Sequence, residues 1–180
     1  MQSILNIAGL VNDSIVDGPG IRFTIFAQGC KHNCEGCHNP DTHQFGTGVD
    51  YTITEIIRQI KSNPLVHGVT FSGGDPFFQA EGFAELAKAL KSDGYEVAAY
   101  TGFTWEYLIA CGDVHQIELL RNIDILVDGR FVLELKNLDL RFRGSSNQRI
   151  IDVPKSLELA VPGMSPVPEP VCTTQKRWVG

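Results

Sequence analysis

Apolar runs alternate with stretches of helical periodicity along this chain, and that alternation limits its fold more than any other feature. Arg22–Ala27 reads as a strand. Over 52–62, Ile53, Ile56, Ile57 and Ile60 recur at helical spacing, and Thr52 with Glu55 forms a capping box. His67–Phe71 predicts a second strand. Phe83, Leu86, Ala87 and Leu90 mark a second amphipathic helix, which Asp93-Gly94 ends. Tyr95–Tyr100 is a third strand. Two helices are predicted over 104–110 and 114–120, the latter capped by Asp113, before a fourth strand at Ile123–Val127 and a fifth at Gln148–Val153. Strands that alternate with helices imply an α/β fold on a mainly parallel sheet.

Each unusual cluster of residues falls just after a strand. Cys30, Cys34 and Cys37 follow the first, and Ser72-Gly73-Gly74-Asp75-Pro76 the second. Thr101-Gly102 follows the third and Asp128-Gly129-Arg130 the fourth. In parallel α/β sheets and barrels, sites form at the carboxyl ends of the strands. These four loops are therefore expected to line one mouth.

The cysteines are spaced C-x3-C-x2-C. Three thiolates can hold three irons of a four-iron cluster and leave the fourth open to a small molecule, whereas a cluster that only carries electrons normally has four protein ligands. The same spacing suits a structural zinc, with His32, His38 or His43 as fourth ligand. A disulfide framework fits less well: five cysteines in 180 residues, without a secretory pattern in MQSILNIAGL, suggest a reducing, cytoplasmic setting. Cys111 reads as a buried thiol and Cys172 as a thiol of the tail.

Other candidates are less specific. Gly73 and Gly74 would let backbone approach a ligand, with Asp75 offering a carboxylate to an ammonium group, although Gly-Asp-Pro is also ordinary turn chemistry. Asp17-Gly18-Pro19-Gly20 reads chiefly as a turn. Asp128 could bind a cation or a ribose and Arg130 a carboxylate or a partner, or the two could simply pair. The polar segment 143–149 is a ligand loop or a surface connection. Arg141, Arg143 and Arg149 form a basic cluster in a chain of formal net charge −6, which argues against nucleic acid as a partner. No apolar run is long enough to span a bilayer. Residues 1–153 read as one domain, and the Pro-rich segment 154–180 as an extended or loosely packed tail.

The stretch from Asp17-Gly18-Pro19-Gly20-Ile21-Arg22 through Phe26 and Gly29-Cys30 to Cys37-His38-Asn39-Pro40 resembles the signature of glycyl-radical-enzyme activases, in the radical S-adenosylmethionine superfamily. Ser72-Gly73-Gly74-Asp75-Pro76 resembles the second superfamily motif, with Asp75 in place of the commoner Glu. Gly36 stands where much of the superfamily has an aromatic residue. Together with the segments 126–131 and 143–149, it brings the chain closest to the activases whose partner is an anaerobic ribonucleoside-triphosphate reductase. The resemblance covers about residues 1–153.

It implies a shortened, partial β/α barrel with a mainly parallel sheet. It also implies a [4Fe–4S] cluster on Cys30, Cys34 and Cys37, with S-adenosylmethionine bound at the open iron. Reductive cleavage to methionine and a 5′-deoxyadenosyl radical would generate a glycyl radical on the partner reductase, with reduced flavodoxin or ferredoxin as the electron donor. By family position Gly73, Gly74 and Asp75 would hold the methionine amino group, and backbone at Gly36, Cys37 and His38 the adenosyl group. Thr101 and Asp128 would lie beside the cofactor. An alternative is an activase of another glycyl radical enzyme, such as pyruvate formate-lyase.

Overall fold

A computed structural model describes residues 3–179. It contains strands β1 (Ile4–Ser14), β2 (Arg22–Ala27), β3 (Val49–Thr52), β4 (Gly68–Gly73), β5 (Glu96–Tyr100), β6 (Ile125–Asp128) and β7 (Arg149–Asp152). The helices are α1 (Ile53–Lys61), α2 (Ala80–Ser92), α3 (Trp105–Cys111), α4 (Val114–Arg121), α5 (Val153–Leu159) and α6 (Lys176–Val179).

The strands form one sheet in the order β3-β1-β2-β4-β5-β6-β7. The centre β2-β4-β5-β6 is parallel, while β1, β3 and β7 join antiparallel. The expected α/β architecture with a mainly parallel core is thus the one that forms, and the sheet stays open, as a shortened barrel does. Two strands were not anticipated, β1 and β3.

Side chains alternate across each strand, and this divides the interior in two. Phe23, Ile25, Val69, Phe71, Val97, Ala99 and Leu126 face the helices and pack with Ile56, Ile60, Phe83, Leu86, Leu90 and Leu120. Fully burying one such Leu, Ile or Phe contributes about 1.5–3 kcal/mol relative to leaving it exposed. The other face carries Arg22, Thr24, Thr70 and Ser72 on β2 and β4, and Ala98, Ile125, Val127 and Ile150 farther along. This second face is where the site lies.

The caps anticipated at Thr52 and Asp113 are present. Thr52 accepts from Glu55 N while Glu55 reaches back, and Asp113 accepts from the backbone of His115 and Gln116. The segment after residue 153 is not loose throughout. Asp152 caps α5, whose first turn tolerates Pro154. The amide of Asp152 donates to Val171 O (2.8 Å) and that of Thr173 to Ile150 O (2.8 Å), so residues 171–173 cover the free edge of β7. Beyond them α6 buries Trp178 completely. Cys111, expected in the interior, is exposed, as is Cys172.

Candidate active site

The cysteine loop leaves β2 through Gln28 and is braced before it turns. Gln28 Nε2 donates to Asp41 O (3.2 Å) and Gln44 O (2.6 Å). Gln79, from the turn ahead of α2, donates through Nε2 to Asn6 O (2.7 Å) and Gln28 O (2.9 Å). Backbone bonds from Gly29 to Thr42 and from Cys30 to His43 close the loop on itself. Sequence reasoning missed this amide brace. Its one signal was a glutamine directly ahead of the cysteines.

Cys30, Cys34 and Cys37 are half-buried and unbridged. Desolvation pushes the Cys30 thiol up to about 11 and raises that of Cys34. Binding iron as thiolates therefore means releasing protons. The amide of Asn39 donates to Cys37 Sγ (3.4 Å). Among the described residues, no group of three or more His, Cys, Asp or Glu is placed to hold a single metal ion. Three thiols brought by one loop to the edge of a cavity are a donor set that a thiolate-held iron cluster accepts.

The end of β4 is pressed against the end of β2. Gly74 N donates to Ala27 O (2.8 Å) and Asp75 N to Gly29 O (3.0 Å). Gly73 has φ +92°, and a Cβ there would come within 2.6 Å of Ala27 and Phe26 backbone. One on Gly74 would meet Gly29 O at 2.5 Å. The glycines thus serve the packing of two strand ends in the first place, and their exposed side then faces the cavity.

Asp75 turns away from that cavity. Its side chain is fully buried. Oδ1 accepts from Phe77 N (2.9 Å), capping the turn before α2. Oδ2 is hydrogen-bonded to His32 Nε2 (2.7 Å) and accepts from Thr101 Oγ1 (2.8 Å) and Gly102 N (2.9 Å). One carboxylate thereby ties the cysteine loop, through His32, to the loops after β4 and β5. The His32 ring is packed between Phe78 and Phe103.

Asp128 is engaged in the same way. It is 1% exposed and accepts from Arg149 Nε (3.0 Å), Arg149 Nη2 (2.5 Å) and Trp105 N (2.8 Å). Arg149 also grips Glu106 with two bonds of 2.9 Å, which hold the Glu106 carboxyl below its usual range. Neither a ribose nor a cation is needed to satisfy Asp128, and its ion pair is with Arg149, not Arg130. The basic cluster therefore divides: Arg149 is an internal brace, whereas Arg141 and Arg143 border the cavity.

That cavity measures about 1090 Å³. Cys30, Cys34, Cys37, His38, Gly73, Gly74 and Thr101 all line it, so the loops after β2, β4 and β5 converge as expected. Gly129 brings in the loop after β6. A further wall is formed by 14–17 and 137–144, of which only the basic residues Arg141 and Arg143 and the start of the segment 143–149 were anticipated as able to meet a ligand. Gly36 lies outside the lining. It has φ +70°, and a Cβ there would meet Leu133 at 2.9 Å, with Phe131 at 3.5 Å. Side chains from the loop after β6 occupy the space an aromatic at position 36 would need. The volume reaches the upper end of small-molecule sites, about 300–1,000 Å³, and suits a nucleoside-sized ligand beside a cluster.

Residues 16–151 match a family model described as a 4Fe-4S single cluster domain. An anaerobic ribonucleoside-triphosphate reductase-activating protein from Vibrio cholerae is 38% identical, over 76% of this chain and 90% of that protein. Its counterpart from Escherichia coli K12 is 34% identical over 74% and 90%, and that from Enterobacteria phage T4 33% over 75% and 86%. A solved structure, QueE from Escherichia coli, aligns with a TM-score of 0.46 at 17% identity, over 57% of this chain and 54% of that one, too partial a likeness to build on. With a cysteine loop of this geometry and relatives matched over about nine-tenths of their length, the chain belongs to the family of anaerobic ribonucleoside-triphosphate reductase-activating proteins.

Proposed function

We infer that this protein is a radical S-adenosylmethionine enzyme that activates an anaerobic ribonucleoside-triphosphate reductase by converting one of its glycines to a glycyl radical. The observation that carries this is the convergence of three thiols from one loop and the carboxyl-end loops of parallel strands on a single large cavity. When bound, the [4Fe–4S] cluster and S-adenosylmethionine supply one-electron reduction and homolytic C–S cleavage, the chemistry that removing a hydrogen atom from a glycine Cα requires.

Cys30, Cys34 and Cys37 hold the cluster and leave one iron without a protein ligand. The backbone of Gly73 and Gly74 accepts from the methionine ammonium. Asp75 supports that site through the loop it fixes, because its own oxygens are engaged by His32, Thr101, Gly102 and Phe77. Backbone at Cys37 and His38 sits against the adenosyl group, Gly36 sets the turn that presents them from outside the cavity lining, and Thr101 and Asp128 secure the floor of the strand-end loops. Phe131, Leu140 and Phe142 keep water from the reacting atoms. A reduced flavodoxin or ferredoxin is the electron source.

Anaerobic incubation with the partner reductase, S-adenosylmethionine and a reductant tests this reading. An organic radical signal should appear on the reductase and be absent with Cys34→Ala. A signal that appears only when the partner is a pyruvate formate-lyase type enzyme would overturn the assignment of partner.

A further inference from the structure

Trp178 is fully buried although it belongs to a four-residue helix in a proline-rich segment. Its indole covers Ala98, Ile125, Val127 and Ile150 on the face of the sheet turned away from α2 and α4. The guanidinium of Arg22 lies 5.4 Å from the ring centroid, a cation–π contact. Phe142 meets the indole edge-on at 5.4 Å and 73°. A Cβ on Gly18 would come within 3.0 Å of the indole. Arg177 pairs with Glu96, which also receives Arg22 Nη1 at 2.9 Å, so α6 is anchored to the start of β5. The family match ends at residue 151, short of this segment.

These neighbours reach the cavity. Asp17, Tyr100 and Phe142 all line it. Phe142 has φ +53°, a conformation a bulky side chain adopts only where its surroundings enforce it. Trp178 packs on its ring, and Tyr100 Oη donates to its carbonyl (2.8 Å). Thr70 Oγ1 accepts from Arg22 Nε (2.7 Å) and donates to Asp17 O (2.8 Å), so the guanidinium against the indole also fixes the Asp17 turn. None of these contacts involves Cys30, Cys34 or Cys37.

We propose that Trp178 is a positioning residue for the cofactor: α6 floors the open side of the sheet and, through Phe142, Tyr100 and the Asp17–Gly18 turn, sets the part of the cavity wall formed by 14–17 and 137–144. This rests on the cavity being the S-adenosylmethionine site.

The test compares wild type, Trp178→Ala and Trp178→Phe, each reconstituted anaerobically with iron and sulfide. Three quantities are read: iron content, S-adenosylmethionine affinity by equilibrium dialysis, and amide hydrogen exchange of the ligand-free protein. Trp178→Ala should load iron as wild type does, yet bind S-adenosylmethionine at least ~10-fold more weakly, a loss of about 1.4 kcal/mol in binding free energy. Its exchange should rise at 14–18 and 137–144 while β4 and β5 keep their protection. Trp178→Phe should fall between the two, and it decides the matter if the alanine variant does not fold. Wild-type affinity in a folded variant, or faster exchange spread evenly over the sheet, would overturn the proposal. If wild type itself fails to bind S-adenosylmethionine, the cofactor reading falls, and the exchange pattern still decides whether Trp178 holds these walls.

Discussion

Replacing Asp75 by Asn removes a charge and changes almost nothing in volume, so its effect can be worked out bond by bond. The carboxylate faces two donors with no alternative role, the backbone amides of Phe77 on Oδ1 and Gly102 on Oδ2. The Thr101 hydroxyl can rotate to accept, and His32 can change tautomer, but a backbone N–H can only donate. Whichever way the new amide is turned, one of those two N–H groups meets an NH2. An unmade bond at a buried donor costs about 1–3 kcal/mol, and losing the charge from the remaining bonds costs about 1 kcal/mol more. The expected loss is about 2–4 kcal/mol, or a melting temperature lower by roughly 4–16 °C for a chain of this size. Asp75→Glu should also destabilise, by about 1–3 kcal/mol, because an extra methylene must fit a fully packed site. Urea unfolding of the apoprotein, followed by circular dichroism, measures both, with exposed Asp139→Asn as the control. An Asp75→Asn protein within about 0.5 kcal/mol of wild type, at unchanged dependence on urea, would refute the role given to this carboxylate.

Changing Cys30, Cys34 or Cys37 to Ala should remove bound iron and activity together, while Cys111→Ala and Cys172→Ala keep both; iron and sulfide analysis after reconstitution decides this. Gly73→Ala should cost at least about 1–3 kcal/mol of stability, since it places a side chain at φ +92° against the backbone of β2; a melting temperature equal to wild type would contradict that packing. Arg149 holds the Glu106 carboxyl below its usual range, so this contribution is present above the ordinary glutamate value of about 4.3 and is lost as pH falls through the lowered one. The stability difference between wild type and Glu106→Gln should therefore shrink on acidification, and a difference that stays constant down to about pH 3 would rule the pair out as its source.

The parallel core was readable because its signals are local. Isoleucines at helical spacing beside a capping box place α1 within a residue, and β2 has the bounds its apolar run suggested. β1 escaped because Asn6, Gly9 and Asn12 interrupt its pattern, and its pairing with β2 and β3 lies in distant segments. The prolines after residue 153 suggested a loose tail, but Pro154 suits the first turn of α5 and Trp178 had an apolar sheet face to cover. At the site, the three cysteines marked themselves as a candidate ligand set through their spacing, for iron or for zinc. Asp75 and Asp128 did not, because a carboxylate after a strand reads the same whether it meets a ligand or a side chain from elsewhere in the fold. Here the partners are His32 and Arg149, set 43 and 21 residues away.

Electron paramagnetic resonance of the anaerobically reconstituted, dithionite-reduced protein, with and without S-adenosylmethionine, bears most directly on the central claim that this loop holds a cluster with an open iron facing the cavity. The account predicts a reduced [4Fe–4S] signal whose shape changes when S-adenosylmethionine is added. A protein that takes up no cluster, or a signal indifferent to the ligand, would contradict it.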